Sequence, residues 1–220
     1  GVGDNPTLTV AEYRARPFVG RALYRLVRHP AFLFGIAPAY SFVLQNRLPV
    51  GLMRSGWRPW ASALGTDAAL GGLLVGLYLL GGWQVLLFVH LPCVLLAASI
   101  GMWLFYVQHQ FEDTSWDRED DWSVRVASLH GSSHYDLPPV LDWMTAHIGL
   151  HHIHHLASRI PFYRLPEALQ DEAIDADARR LTLGDSLRCA RLALWDEGSR
   201  SLVSFADARR LADRQASSRA

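Results

Sequence analysis

The 220-residue chain is half apolar, and its apolar residues crowd the first half, which excludes an ordinary soluble globule. Its 21 basic residues, all Arg, balance 21 acidic ones, so the charge leaves no footprint for a nucleic-acid partner. Cys93 and Cys189 lack metal-ligand spacing and any disulfide framework, as suits a cytoplasm-facing protein, and both read as packing residues.

The chain starts at Gly1 without Met or a signal peptide, so a processed or truncated N-terminus is expected. Residues 1–29 are polar, then rich in arginine (Arg14, Arg16, Arg21, Arg25, Arg28), and predict a surface segment with a basic helix. Residues 31–44 form an apolar run interrupted by Pro38. They fall short of the about 20 residues that a helix needs to cross hydrocarbon, so an interfacial or re-entrant helix is expected. After Arg47, Arg54 and Arg58, residues 61–82 predict a first membrane span. Gly81-Gly82-Trp83-Gln84 reads as a short uncharged turn. Residues 85–107, interrupted only by His90 and Ser99, predict a second span roughly 35 Å long. Pro92 removes one backbone hydrogen bond that neighbouring protein can restore, and His90 reads as a packed polar residue. Arginines precede the hairpin and follow it at Arg118 and Arg125 but are absent from its turn, which puts both ends in the cytoplasm.

Beyond Gln108 the chain turns acidic and aromatic, with Glu112, Asp113, Asp117, Glu119, Asp120 and Asp121 among Trp116 and Trp122. Pro138-Pro139 opens a helix expected to run to about Ser158, and Pro161 closes it. From Pro166 onward polar helices are expected, with Leu183, Leu187, Ala190 and Leu194 as a partly apolar face, then a frayed tail. The fold class is all-α integral membrane. Its expected parts are a basic and interfacial segment (1–60), a transmembrane hairpin (61–107), a cytoplasmic metal-binding helical cap (108–166) and a helical tail (167–220).

Chemistry concentrates in histidine. On the expected helix after Pro139, at about 100° per residue, His147, His151, His154 and His155 share about 100° of arc, with His152 beside them. Four imidazoles on one stripe repel when charged and need many partners when neutral, and a metal ion removes both difficulties. A surface histidine tract is the plain alternative, but it would not keep helical register between two prolines among Ile148, Leu150 and Ile153. Imidazole suits Zn, Cu, Fe or Ni alike. No carboxylate lies between Ala146 and Arg159, so the general base of a His-Glu-x-x-His zinc protease is missing. His109, just past the second span, is a further ligand candidate and would set the metal at the membrane surface. Glu112, Asp113 and His152 are candidates to support the ligand imidazoles, as bound histidines usually require; a solvated acidic face is the alternative for the two carboxylates. His130, His134 and His29 read as polar surface residues.

Residues 103–116, WLFYVQHQFEDTSW, and 143–161, WMTAHIGLHHIHHLASRIP, resemble the membrane fatty acid desaturase family, in particular its acyl-lipid branch with Δ12 and ω-3 enzymes. The likeness extends over essentially the whole chain, including residues 180–205, RLTLGDSLRCARLALWDEGSRSLVSF. It implies a di-iron centre held by three histidine boxes, O2 as oxidant, a fatty acyl lipid substrate in the membrane, and a ferredoxin- or cytochrome b5-type electron donor. The third box, His-x-x-His-His, maps onto His151, His154 and His155, with His109 as a further ligand. His147 stands where the branch commonly has Asn, as a ligand or a supporting donor. The first two boxes do not occur before His109, so a C-terminal fragment, inactive alone, is expected. A bacterial inner-membrane location with the site facing the cytoplasm follows, with Trp103, Phe105 and Trp143 as candidate linings of an acyl tunnel or as interfacial anchors. Rival readings are a di-iron hydroxylase or carotenoid ketolase, and a non-catalytic metal-binding membrane protein.

Overall fold

The computed structural model describes residues 7–114, 128–170 and 178–217, the last three through their backbone only. The segment with Trp116, Asp117, Arg118, Glu119, Asp120, Asp121, Trp122 and Arg125 lies outside the described residues. Contacts divide the chain into two units, one holding residues 26–103 and the other residues 6–25 and 104–220.

In the first unit a π turn, Phe32–Ile36, leads into the helix Ala37–Val43. The helix Trp57–Val85, a second π turn Leu86–His90 and the helix Leu91–His109 follow. Each π turn stands just ahead of a proline, Pro38 or Pro92, and contains the carbonyl four residues back, at Phe34 or Phe88. A proline ring clashes with that carbonyl in a regular α-helix, and the wider turn relieves the clash. The Trp57–Val85 helix breaks at Gly81 (φ −153°, ψ 16°) and Gly82 (φ 63°, ψ −160°). The second of these conformations is open essentially to Gly alone, and the break falls at the residues where a turn is expected. The stretch Trp57–His109 is long and apolar enough to cross a membrane. Leu80 and Phe88 are 86% and 77% exposed, so this apolar surface needs a lipid or protein cover. Cys93 is exposed on it and is not packed within the chain, whereas Cys189 is buried as expected, where desolvation pushes its thiol up to about 11.

The second unit is not all helix, and here the all-α expectation is corrected. Strand β1 (Leu8–Thr9) pairs in parallel with β4 (Leu192–Asp196), which pairs antiparallel with β5 (Ser201–Ser204). Strand β2 (His134–Tyr135) pairs in parallel with β3 (Arg180–Leu181). Leu194 therefore lies on a strand and not on a helix face. The helix Leu183–Cys189 stops after two turns, and Leu192–Asp196 and Ser201–Ser204 pair around the turn at Gly198 as a hairpin. Val10, Tyr13, Tyr24, Leu194 and Ala208 form a core beneath the sheet. The Tyr24 hydroxyl donates to the Ala193 carbonyl at 2.7 Å and accepts from the Leu8 N–H at 3.1 Å, which pins the N-terminal segment to β4.

Candidate metal centre

Two side chains and one backbone bond position the end of the long apolar helix in the second unit. Tyr106, fully buried, donates to the Leu192 carbonyl at 2.7 Å. Gln108, also fully buried, donates from Nε2 to the Ile148 carbonyl at 2.7 Å, and its backbone carbonyl accepts from the Ser133 N–H at 3.0 Å. These bonds fix His109 relative to residues 148–150, where the box helix His151–Leu156 begins.

That helix is short, which corrects the expected continuous helix to Ser158. The helix Pro139–Met144 ends in a Schellman motif, with Ala146 N–H bonded to Trp143 O at 3.1 Å and His147 N–H bonded to Asp142 O at 2.9 Å. Ala146 and His147 take φ of 56° and 55°. Beyond the turn, the Tyr135 N–H donates to the Gly149 carbonyl at 2.8 Å, and His134 bridges Leu150, so β2 captures residues 149–150 before the box helix starts. A side chain at Ala146 costs about 1–2 kcal/mol in the left-handed region. Ala146→Gly is therefore expected to raise the unfolding free energy by about 1 kcal/mol, read from denaturant titration of the detergent-solubilised protein.

Because His151 and His155 are four residues apart on one short helix, their rings face the same side. His109 meets them from the long helix. The Nε2 atoms of His109 and His151 are 3.2 Å apart, those of His109 and His155 3.4 Å, and those of His151 and His155 3.1 Å. Imidazole nitrogens sharing one first-row metal ion at about 2.0–2.1 Å stand about 2.9–3.4 Å apart at coordination angles near 90–110°. The triangle fits a metal ion, and three imidazoles so placed have no better use for three converging lone pairs. Burial first, then the neighbouring His109, His155, His154 and His152 imidazoles, push the His151 ring down to about 2. It is neutral at physiological pH, the form that ligates metal.

The other candidates fall elsewhere. The His154 ring is half-buried, 5.7 Å from the His151 ring and 6.0 Å from that of His155, outside the converging triangle. His147 is not on the box helix; its Nδ1 lies 2.6 Å from Asp142 Oδ2. His152 is fully buried on the far side of the helix, stacked on His134 with ring centroids 5.5 Å apart. His134 is thus a buried residue and not the surface residue expected. The Asp113 carboxylate pairs with Arg179 at 3.4 Å, and the exposed Glu112 accepts the Leu202 N–H through its backbone carbonyl at 3.0 Å. Phe105 sets its ring edge-on to His109, 4.8 Å away, one turn earlier on the same helix. Trp103 meets the Phe34 ring at a tilt, with centroids 4.9 Å apart, and Trp143 is exposed. Sequence reasoning missed Gln108, whose burial at the helix end had no signal beyond its being polar, and Asp142, five residues ahead of His147.

Comparison with known proteins supplies an independent reading. A family model described as fatty acid desaturase matches residues 3–183. The chain is 39% identical over 205 residues to a protein of Bacillus subtilis (strain 168) named fatty acid desaturase, an alignment that covers 93% of this chain and 58% of that one. It is 30% identical over 100 residues to an sn-1 oleoyl-lipid 12-desaturase of Picosynechococcus sp., covering 41% of this chain and 26% of that protein. A similarly named protein of Anabaena variabilis is 34% identical over 59 residues, which are 27% of this chain and 17% of that one. The chain thus spans 58% of the length of its Bacillus relative and less of the other two.

Proposed function

This chain belongs to the fatty acid desaturase family, and from that premise we propose that the whole protein introduces a double bond into fatty acyl chains at a di-iron centre, with O2 as oxidant. The observation that carries the reading is the convergence of His109, His151 and His155 at the end of an apolar helix. His109, His151 and His155 hold one iron; His154, on the same face one step aside, serves the second. A pair of irons needs more ligands than the described residues bring together, so further ligands are expected elsewhere in the whole protein. His147, anchored by Asp142, together with His152, Glu112 and Asp113, shapes the surroundings of the ligands.

When bound, the iron pair supplies the O2-dependent removal of two hydrogens from adjacent methylenes. The chain's own residues bind and orient the acyl chain, with Phe105 and Trp143 as linings and Trp103 as an anchor. The two apolar stretches on either side of Gly81–Gly82 form a transmembrane hairpin, residues 31–44 lie at the interface, and the residues after 107 form a cap on the cytoplasmic side of a bacterial inner membrane. A ferredoxin- or cytochrome b5-type protein donates electrons. The names of the Picosynechococcus and Anabaena relatives favour a glycerolipid-borne acyl chain and the Δ12/ω-3 branch.

Metal analysis of the purified whole protein tests the centre. About two irons per chain are expected, lost on treatment with a strong iron chelator and regained with ferrous iron. A correctly folded protein that holds no iron, or holds zinc in its place, sinks the reading.

A further inference from the structure

The second unit carries an open cavity of about 610 Å³ lined by the helix Val10–Ala15, the helix Phe18–Val27 and the C-terminal helix Phe205–Ser217. It is far in sequence from the histidines, and nothing in the di-iron reading uses it. Ala22, Ala208 and Ala212 leave the space open between the helices, and Arg14, Arg21, Arg25 and Arg209 border it. Against these four guanidinium groups the described lining offers one carboxylate, Asp213.

Two of the arginines are held in place by the protein. Arg14 donates from Nη2 to the Ala208 carbonyl at 2.7 Å. Arg25 donates from Nε to the Tyr13 hydroxyl at 2.5 Å, and its guanidinium lies 5.1 Å from the centroid of the Phe205 ring. Arg21 and Arg209 pair with no carboxylate among the described residues. Each guanidinium carries five donors and cannot give up its charge, and four of them around one opening repel one another. An anion with several acceptor oxygens removes that repulsion, and a planar guanidinium fork matches phosphate oxygens two at a time. The cavity is the size of a small-molecule site. Phe18, which lines it, is 77% exposed, so the mouth opens at the protein surface.

We propose that this cavity binds a phosphate ester, its oxygens held by Arg21 and Arg209 with Arg14 and Arg25 beside them. The ester is either a lipid headgroup or a soluble organic phosphate, and the test separates the two. The whole protein, delipidated in a neutral detergent, is titrated with phosphatidylglycerol, with diacylglycerol as the phosphate-free control, and with inorganic pyrophosphate. Lipid binding is counted by native mass spectrometry and pyrophosphate binding by calorimetry.

Wild type is expected to take up one phosphate-bearing probe per chain in preference to diacylglycerol, and Arg21→Gln/Arg209→Gln to weaken that binding about 100-fold, as loss of two charge-assisted contacts implies. Arg21→Lys/Arg209→Lys keeps the charge without the fork and is expected to fall between. Binding of phosphatidylglycerol alone identifies a headgroup site, and binding of pyrophosphate identifies a site for soluble phosphates. Failure of wild type to bind either probe, or equal affinity in wild type and the Gln pair, overturns the proposal. If the Gln pair melts early, the Lys pair decides, and wild-type affinity in that variant overturns it as well.

Discussion

His151→Ala is expected to abolish turnover and to lower metal affinity by more than about 100-fold, the upper end of what is lost when only a group behind a ligand is removed. The size follows from the triangle. His151 contributes one of three Nε2 atoms separated by 3.1–3.4 Å, and two imidazoles left in place no longer enclose an ion. His155→Ala and His109→Ala are expected to do the same, and the double variant His151→Ala/His155→Ala to be no worse than either single one, because the three act as a unit. His154→Ala is the discriminating variant: it is expected to keep one iron and lose the other, since its ring stands aside from the triangle. His90→Ala, in the π turn Leu86–His90 well before the helix end, is expected to keep both. Iron content per chain by elemental analysis reads all six variants.

Gly149→Ala carries the second large effect, although residue 149 has no side chain to contribute. A Cβ there would come 2.3 Å from the Tyr135 backbone oxygen, a contact no rotamer can relieve because the obstacle is backbone. Either the Tyr135–Gly149 hydrogen bond and the His134–Leu150 bridge open, or the box helix shifts. Overpacking of this kind costs about 1–3 kcal/mol, and the shift begins two residues before His151. Thermal unfolding of the metal-free protein is expected to report the lost stability, and iron titration a weakened site. Unchanged iron affinity would show that the box helix is not seated by this contact.

The imidazole triangle was legible because it depends on local rules. His151 and His155 are one helical turn apart, and His109 falls where an apolar helix of membrane-spanning length ends. The helix that was expected to carry His147 in the same stripe was not legible as broken. Its stop is a Schellman turn built on Ala146 rather than Gly, so the usual signal is absent, and the force that holds the break is the pairing of residues 149–150 with a strand only two residues long. His152 read as a neighbour of the site because five positions of sequence do not reveal which side of a short helix meets the protein core. The arginine cavity was invisible for a different reason: Arg21 and Arg209 meet only through the fold, and each alone is an ordinary surface charge. The strands at residues 192–204 are short and carry no clear period-two pattern, and Leu187, Ala190 and Leu194 fit a helical face that runs into them.

The central claim, acyl desaturation that depends on these histidines, is tested most directly by product analysis. The intact gene is expressed in a host that lacks the activity, beside the His151→Ala variant, and double-bond positions in the membrane acyl chains are read by mass spectrometry. The expected result is a new double bond at one position in wild type and none in the variant. A hydroxylated product without a new double bond, or an acyl profile that His151→Ala leaves unchanged, would contradict it.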